Sequence, residues 1–518
     1  MKTARLFIGL RIVISTAITL VILLALVDLW ALVPPAIVRF ATWFQFLPSL
    51  VRAITAFGVL ATGFLFVLGL TLVFGRVYCS FLCPLGAFMD WTISLRKKFH
   101  KQKFAYKKPE ILRYIILAGV GASLLSGSMI LANLLDPYSI FARSGQAIVR
   151  PLVIGLNNVL AHAGEAMGYY GIAPYPWRFV SLPVFAMIAA WLALVIWMAA
   201  RHGRLYCNTL CPVGGLLGIF SKISVFKISI SPDNCIQCGA CARVCKASCM
   251  DHEQSNVDTS RCVMCLDCLT ICPAEAVVFG GRVVEKKNIS APGRRGFLAM
   301  AALFLLGMLK RATGDEAFPD LRQNPVLAPQ RSTQGLTPAP PGSLGREHFM
   351  SACTACHLCV AACPSQVIVP KLIAYGGQGL MMPGLAYDKG FCNYNCNACT
   401  RVCPAGAILP VGVEEKKRIQ MGQAKFVKQN CVVVTQKTEC VACAEHCPTG
   451  AVKIVRDGGP GLPQVDTEVC IGCGACEFAC PAKPFKAIYV EGNHTHRRAL
   501  PPKKGESVQT RVGDDFPF

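Results

Sequence analysis

The sequence predicts a membrane α-helical bundle that carries small α+β modules rich in cysteine. Three observations lead there. Four apolar stretches are each long enough to cross a bilayer: Ile12 to Val33, Ile54 to Phe74, Ile115 to Leu135 and Phe179 to Ala200; a span takes about 20 residues. The 29 cysteines among 518 residues fall almost entirely into short, evenly spaced runs. A twin arginine, Arg294 and Arg295, precedes a short apolar run from Phe297 to Leu309. With 53% hydrophobic residues the chain is too apolar for a wholly soluble protein. The net charge of +23 gathers beside apolar segments, where it orients a membrane protein, so no nucleic-acid partner is expected.

The first 225 residues form the expected four-span membrane domain. Lys2, Arg5 and Arg11 precede the first span, and the first connection carries only Arg39 and Arg52. The second connection is densely basic, with Arg96, Lys97, Lys98, Lys101, Lys103, Lys107 and Lys108. The positive-inside rule therefore places the N-terminus and residues 75–113 in the cytoplasm, and residues 136–178 on the opposite side. The fourth span returns the chain to the cytoplasm at Arg201, His202, Arg204 and Lys222.

A repeat marks this domain. Gly75 to Gly86 and Gly203 to Gly214 both read Gly-Arg-x-Tyr-Cys-x-x-Leu-Cys-Pro, each at the end of a span. Cysteines four apart share a helix face. Cys79, Cys83, Cys207 and Cys211 could thus meet as an additional redox or metal site; the alternative is buried thiols that never meet. Arg76 and Arg204 read as anchors of the helix ends at the interface, with steadying of a centre held by these cysteines as the alternative.

Residues 226–285 hold two tandem ligand runs. The first is Cys235, Cys238, Cys241 and Cys245; the second is Cys262, Cys265, Cys268 and Cys272, followed by Pro273. This is the bacterial-ferredoxin-type two-cluster pattern, in which each run's fourth cysteine serves the other cluster. The expected sets are Cys235, Cys238, Cys241 with Cys272, and Cys262, Cys265, Cys268 with Cys245. The fourth cysteine is expected to open a short helix. Lys246 stands where proline usually follows, and Cys249 is left over as a structural thiol. Zinc sites rarely use such tandem runs.

Residues 286–311 form a twin-arginine signal or anchor. Arg-Arg-x-Phe-Leu matches the address of the route that exports folded proteins. As a helix the apolar run measures about 20 Å, short for an ordinary span but suited to an export signal. It is a short, signal-like fifth apolar segment. Residues 312–346, rich in Pro, Gly, Ser, Thr and Gln, read as a linker.

Residues 347–495 carry four more runs. They are Cys353, Cys356, Cys359, Cys363; Cys392, Cys396, Cys399, Cys403; Cys431, Cys440, Cys443, Cys447; and Cys470, Cys473, Cys476, Cys480. The outer two are regular and the inner two irregular, which favours nested pairing, with adjacent pairing as the alternative. Six [4Fe-4S] clusters are expected in all, with a seventh centre if the membrane cysteines meet. His357 and His446 lie inside complete runs and read as non-ligands. Val432 to Val434, Ala451 to Val455 and Ala487 to Val490 suit short strands. Residues 496–518 form a polar tail.

On these motifs the chain resembles a fusion of two families. Residues 1 to about 285 resemble NapH, through the four spans, the doubled Cys-x3-Cys-Pro motif and the terminal two-cluster module. Residues 290 to about 495 resemble NapG, through the twin-arginine leader and four cluster runs; MauN-like and MauM-like proteins are related. The resemblance implies a quinol dehydrogenase of the bacterial inner membrane. It would link the membrane quinone pool to a periplasmic cytochrome or a reductase such as nitrate reductase, with the second module periplasmic. Its rivals are a maturation factor for a periplasmic enzyme of methylamine dehydrogenase or nitrous oxide reductase type, and a cytoplasmic membrane-docked ferredoxin hub. No quinol site is assigned. Asp136, Tyr138, His162 and Glu165 could accept protons, and a solvated loop explains them equally.

Overall fold

The computed structural model describes residues 2–55, 62–99, 104–105, 111–281, 336–375, 379–456 and 459–502. Arg294, Arg295, the apolar run after them, most of the linker and the end of the tail lie outside the described residues. The chain divides into two units, one of residues 1–327, 348–384 and 398–409, the other of residues 328–347, 385–397 and 410–518.

The first unit opens with α1 (Lys2–Val27), α2 (Pro35–Trp43), α3 (Phe46–Thr55) and α4 (Gly63–Phe74). Two helices have the length and apolarity of a span, Ala4–Val27 within α1 and Leu182–His202. Among the described residues the other two predicted spans contain only shorter helices. In the second, among its described residues, Ile54 and Thr55 end α3 and the twelve residues Gly63–Phe74 form α4. The third divides into α7 (Leu112–Leu125) and α8 (Ile130–Leu135). Gly127 causes the break: its φ of 80° lies in the left-handed region that ends helices. Hydropathy alone does not register such a stop.

Between them lie α5 (Tyr78–Phe81) and α6 (Pro84–Phe99). The connection after α8 is no solvated loop at its start. Asp136 caps α9 (Pro137–Ser144), accepting from the Ser139 N–H at 2.8 Å, and every residue of α9 is buried. A π-helical turn, Gly145–Val149, leads into α10 (Arg150–Ala166). Helix α11 is Leu182–His202, followed by α12 (Leu205–Thr209) and α13 (Pro212–Ser221).

The two-run module then forms. Strand β1 (Lys227–Ile230) pairs antiparallel with β4 (Val277–Gly280), Ile228 opposite Phe279. Between them come α14 (Ala240–Val244), the pair β2 (Met250–Asp251) and β3 (Asn256–Val257), and α15 (Asp267–Ile271). The fourth cysteines, Cys245 and Cys272, close α14 and α15 rather than opening a helix. The left-handed residue before each helix already starts it within the tight ligand loop. The remaining parts of this unit include two short helices. Leu358–Ala361 packs on α1 and the π turn, and Ala398–Val402 packs on α2.

In the second unit, Ile419–Phe426 pairs antiparallel with Ile488–Arg498, which runs three residues into the expected tail. The end of the expected linker is ordered beside it: the Gly492 N–H donates to Leu336 O at 2.7 Å and the His496 N–H to Leu344 O at 2.9 Å. Val452–Val455 pairs with Leu462–Val465, as the apolar pattern predicts. Val432–Thr435 is a helical turn instead of a strand. Its carbonyls bond locally, with the Gln436 N–H donating to Val432 O at 2.8 Å.

Candidate redox centres

The repeat builds the first candidate centre. Gly75 and Gly203 end α4 and α11 at φ values of 74° and 66°, a turn that costs glycine little. The predicted continuous helix face does not form, because Pro84 and Pro212 start new helices after Cys83 and Cys211. The thiols meet all the same. Cys83 has Cys207 and Cys79 as electrostatic neighbours, and Cys211 has Cys207, Cys79 and Cys83. All four are buried. The Gly214 N–H donates to Cys211 Sγ at 3.3 Å. Tyr78 and Tyr206 stand behind the thiols, donating to Gln45 Oε1 at 3.2 Å and Leu135 O at 2.7 Å.

Arg76 and Arg204 do not anchor helix ends in the interface. Both are 0% exposed. Each has bonding groups to satisfy inside the protein, and these are the cysteine carbonyls and the sulfurs.

In the two-run module, Cys235, Cys238, Cys241 and Cys272 line a single cavity with Ile230, His252 and Val277. Cys268 has Cys265, Cys262 and Cys245 as neighbours. Both sets are the crosswise ones that the spacing predicts. Cys249 lies against the second set, its Sγ 3.5 Å from Cys245 Sγ. The Cys249 hydrogen bond holds the Cys245 thiol down to about 7 against the opposing effect of burial.

The backbone carries a matching signature. Gln237 and Gly239 flank Cys238 with positive φ, Met264 and Leu266 flank Cys265, Ala355 and His357 flank Cys356, and Gly472 and Gly474 flank Cys473. Alternation of this kind turns successive N–H groups inward, forming the concavities that receive anionic iron–sulfur groups. It recurs in all four regular runs. Among the described residues no group of three or more His, Cys, Asp or Glu side chains is arranged to hold a metal ion.

Lys246, the residue in place of proline, has a use. Its Nζ lies 3.2 Å from Asp90 Oδ1 of α6 and 3.0 Å from Asp267 Oδ2 of α15. Arg204 reaches Asp90 at 2.8 Å, and Arg11 of α1 reaches both carboxylates at 3.5 Å. Burial alone would push the Asp90 carboxyl up, but Arg204, Lys246 and Arg11 outweigh it and hold it at about 2. Further bonds join the module to the repeat. The Arg204 N–H donates to Lys246 O at 2.8 Å, Ser80 Oγ to Val263 O at 2.6 Å, and Asn208 Nδ2 to Ala247 O at 3.0 Å.

Nested pairing of the later runs does not occur. Cys403 of the second run neighbours Cys353, Cys356 and Cys359 of the first. In the second unit, Cys447 neighbours Cys470, Cys473 and Cys476, while Cys443 neighbours Cys440, Cys431 and Cys480. Adjacent runs pair, because closing the shorter chain loop costs less entropy. Regularity of spacing carries no information about partners.

The Cys353 set touches the α8–α9 end of the first 225 residues. The Tyr138 hydroxyl faces Cys356, and Arg143 Nη1 lies 3.6 Å from Met381 Sδ. Asp136 is an electrostatic neighbour of Tyr206, Tyr78 and Cys356, so it stands between the repeat's cysteines and this set. Arg52 Nη1 donates to Cys403 O at 3.4 Å. Of the other proton-acceptor candidates, His162 and Glu165 form an exposed pair at 3.6 Å. His357 is buried with a ring nitrogen 2.8 Å from Met381 O, and burial pushes its pKa down to about 3, so the ring is neutral. His446 lies on the surface beside Ala442 O at 3.0 Å. Sequence reasoning missed Asp90, Asp267 and Arg11. The one local signal was the lysine that breaks the proline pattern.

Paired cysteine sets on left-handed ligand loops define an iron–sulfur electron-transfer protein of the ferredoxin type. Family models bear this out. Two described as a 4Fe-4S dicluster domain match residues 227–273 and 352–408, and two described as a 4Fe-4S binding domain match 463–486 and, across the two copies of the repeat, 55–102 and 183–231. The chain belongs to the NapG family of ferredoxin-type proteins. It is 31% identical to the ferredoxin-type protein NapG of Escherichia coli strain K12 over 155 residues, 28% of this chain and 67% of that protein. It is 28% identical to ferredoxin-type protein NapF of the same strain, over 32% of this chain and 91% of that protein. It is 27% identical to the methylamine utilization ferredoxin-type protein MauM of Methylobacillus flagellatus, over 39% of this chain and 85% of that protein. No solved structure matches.

Proposed function

We propose that the chain is an inner-membrane electron-transfer protein that accepts electrons from quinol and passes them to a periplasmic redox partner. The observation that carries this reading is the position of Cys79, Cys83, Cys207 and Cys211. They lie between the two-run module, joined to the repeat through Ser80, Asn208 and Arg204, and the Cys353 set, reached through Asp136 and Tyr138. A protein with redox sites on two sides of a membrane needs an intermediate site of this kind.

In this reading the 24 cysteines of the six runs hold six [4Fe-4S] clusters, paired between adjacent runs, and the four repeat cysteines hold a seventh centre. Such clusters supply one-electron transfer, with potentials set by charge, hydrogen bonds and exposure. The chain's own groups do the rest. Left-handed loops aim N–H groups at the ligands, buried tyrosines exclude water behind the repeat, and the Asp90 network fixes the module against it. Four spans, the N-terminus and the first module in the cytoplasm, and a twin-arginine anchor that delivers the second module to the periplasm complete the topology. Oxidation of one quinol yields two electrons and two protons. Of the groups able to take protons, Asp136 and Tyr138 are the buried pair beside the redox sites.

The test is direct. Purified protein in proteoliposomes, given a menaquinol analogue, should show rapid bleaching of cluster absorbance. If it stays oxidised while dithionite reduces it fully, the quinol reading fails. Similarity to the methylamine utilization protein MauM supports a second reading, redox maturation of another enzyme, which that outcome would favour.

A further inference from the structure

The repeat's two arginines are exchanged between its copies. Arg76 leaves the first copy and enters the second, where its Nη2 donates to Cys207 O at 2.8 Å and its Nη1 to Asn208 Oδ1 at 2.7 Å. Arg204 makes the reverse crossing and donates to Cys79 O at 2.9 Å. Each keeps contact with its own copy's first sulfur, Arg76 Nη2 at 3.7 Å from Cys79 Sγ and Arg204 Nη1 at 3.9 Å from Cys207 Sγ. The crossing requires the glycine that ends each motif. A Cβ on Gly86 would collide with Cys79 O and lie 2.7 Å from Arg204 Nη1; one on Gly214 would do the same to Cys207 O and Arg76 Nη2. The shared pattern Gly-Arg to Cys-Pro-x-Gly is thus one device: a glycine at each end, and an arginine that passes into the partner copy.

The exchange is symmetric in geometry and not in charge. Arg204 faces Asp90 at 2.8 Å. Arg76 has no carboxylate partner among the described residues; besides the cysteines it meets Asn208 Oδ1 and, at 3.0 Å, Ser260 O, both neutral. A fully buried guanidinium without an anion is costly. The groups near it that would carry negative charge once ligated are the sulfurs, with Cys79 Sγ at 3.7 Å, which suits occupation of the four cysteines by an anionic centre.

Resting on the reading of the four repeat cysteines as a redox centre, we propose that Arg76 and Arg204 are crossed positioning residues that lock the two cysteine pairs together and raise the centre's reduction potential, while Asp90 opposes them. Adding one electron makes the site more negative, and two fixed cations, each beside one sulfur, favour that form. No proton need accompany the step, because the arginines stay charged throughout.

The experiment uses the full chain purified in detergent, with iron content and EPR-monitored redox titration as readouts. Arg76→Gln should lower the ratio of reduced to oxidised centre at fixed potential at least tenfold, a shift of about 59 mV for a one-electron couple. Arg204→Gln should move it the same way, and Asp90→Asn the opposite way. Arg76→Lys, which keeps the charge, should hold the ratio within threefold of the parent. A seventh signal at parental iron content, unmoved by Arg76→Gln, overturns the inference. Should Arg76→Gln assemble no centre, the lysine variant decides. Retained iron with a near-parental potential supports the role of charge, and lost iron overturns it. If the parent itself shows six clusters and no seventh signal, the reading of the repeat fails first and this inference with it.

Discussion

Replacing Asp90 should loosen the two-run module more than replacing Lys246, although each removes one charge from the same cluster. The cluster holds three cations, Arg11, Arg204 and Lys246, against two carboxylates, Asp90 and Asp267. Lys246→Met leaves two of each sign, still paired. Asp90→Asn leaves three buried cations around one carboxylate. The Asp90 carboxyl is held at about 2, below its usual 3.8. A folded pKa below the unfolded one stabilises above the unfolded value, and the gain disappears as pH falls towards 2. At neutral pH that is worth about 2 kcal/mol. Stranding the remaining cations adds to it, and breaking a buried pair costs roughly 3–5 kcal/mol. Hydrogen exchange of residues 227–281 in nanodiscs at pH 7 reads this opening. Asp90→Asn should speed the slowest amides of β1 and β4 by roughly two to four decades, and Lys246→Met by clearly less. Equal acceleration by both variants, or a larger effect of Lys246→Met, would refute the charge count.

Two further outcomes follow from the same geometry. Cys447→Ala combined with Cys470→Ala should cost roughly four irons per chain, because both belong to one set; nested pairing requires a loss twice as large. In the second unit, burial pushes His496 down to about 4. Its folded pKa lies below the unfolded 6.5, so the unfolded chain takes the proton first and stability falls as pH drops from about 6.5 towards 4, by up to about 3 kcal/mol. Thermal melts of His496→Gln between pH 7.5 and 5 should lose that acid slope; an unchanged slope would contradict the assignment.

The cluster runs were legible because ligand spacing is local. Cys235 to Cys272 already name both sets, and the structure places them so. The left-handed loops were half legible. Gly239, Gly472 and Gly474 advertise positive φ, but Gln237, Met264, Ala355 and His357 adopt it without any such mark. Helix interruptions escaped a reading by hydropathy, since Gly127 ends a helix at no cost in apolarity. For the arginines, anchoring was preferred over a role beside the cysteines for a related reason. A basic residue at a span end satisfies the positive-inside rule whether it faces water or sulfur. Their presence in both copies, always with the closing glycine, was the clue that they serve the repeat. The Asp90 network joins residues from α1, α6 and α15, so no local window contains it.

The distance between redox sites is the harder constraint on function, and α1 supplies a ruler for it. Arg11 reaches Asp267 of the two-run module, and Leu26 packs on Gly145 of the π turn, which also receives the helix Leu358–Ala361 of the Cys353 set. Fifteen residues of α-helix separate them, about 22 Å, less than the roughly 30 Å of a hydrocarbon layer. Seen from the two-run module, the route runs through Ser80 and Asn208 to the four thiols, then past Tyr206 and Asp136 to Tyr138 and Cys356. The doubled motif therefore answers a need that neither ferredoxin module can meet alone. On the proposed route it supplies four sulfurs and two compensating cations between the two-run module and the Cys353 set.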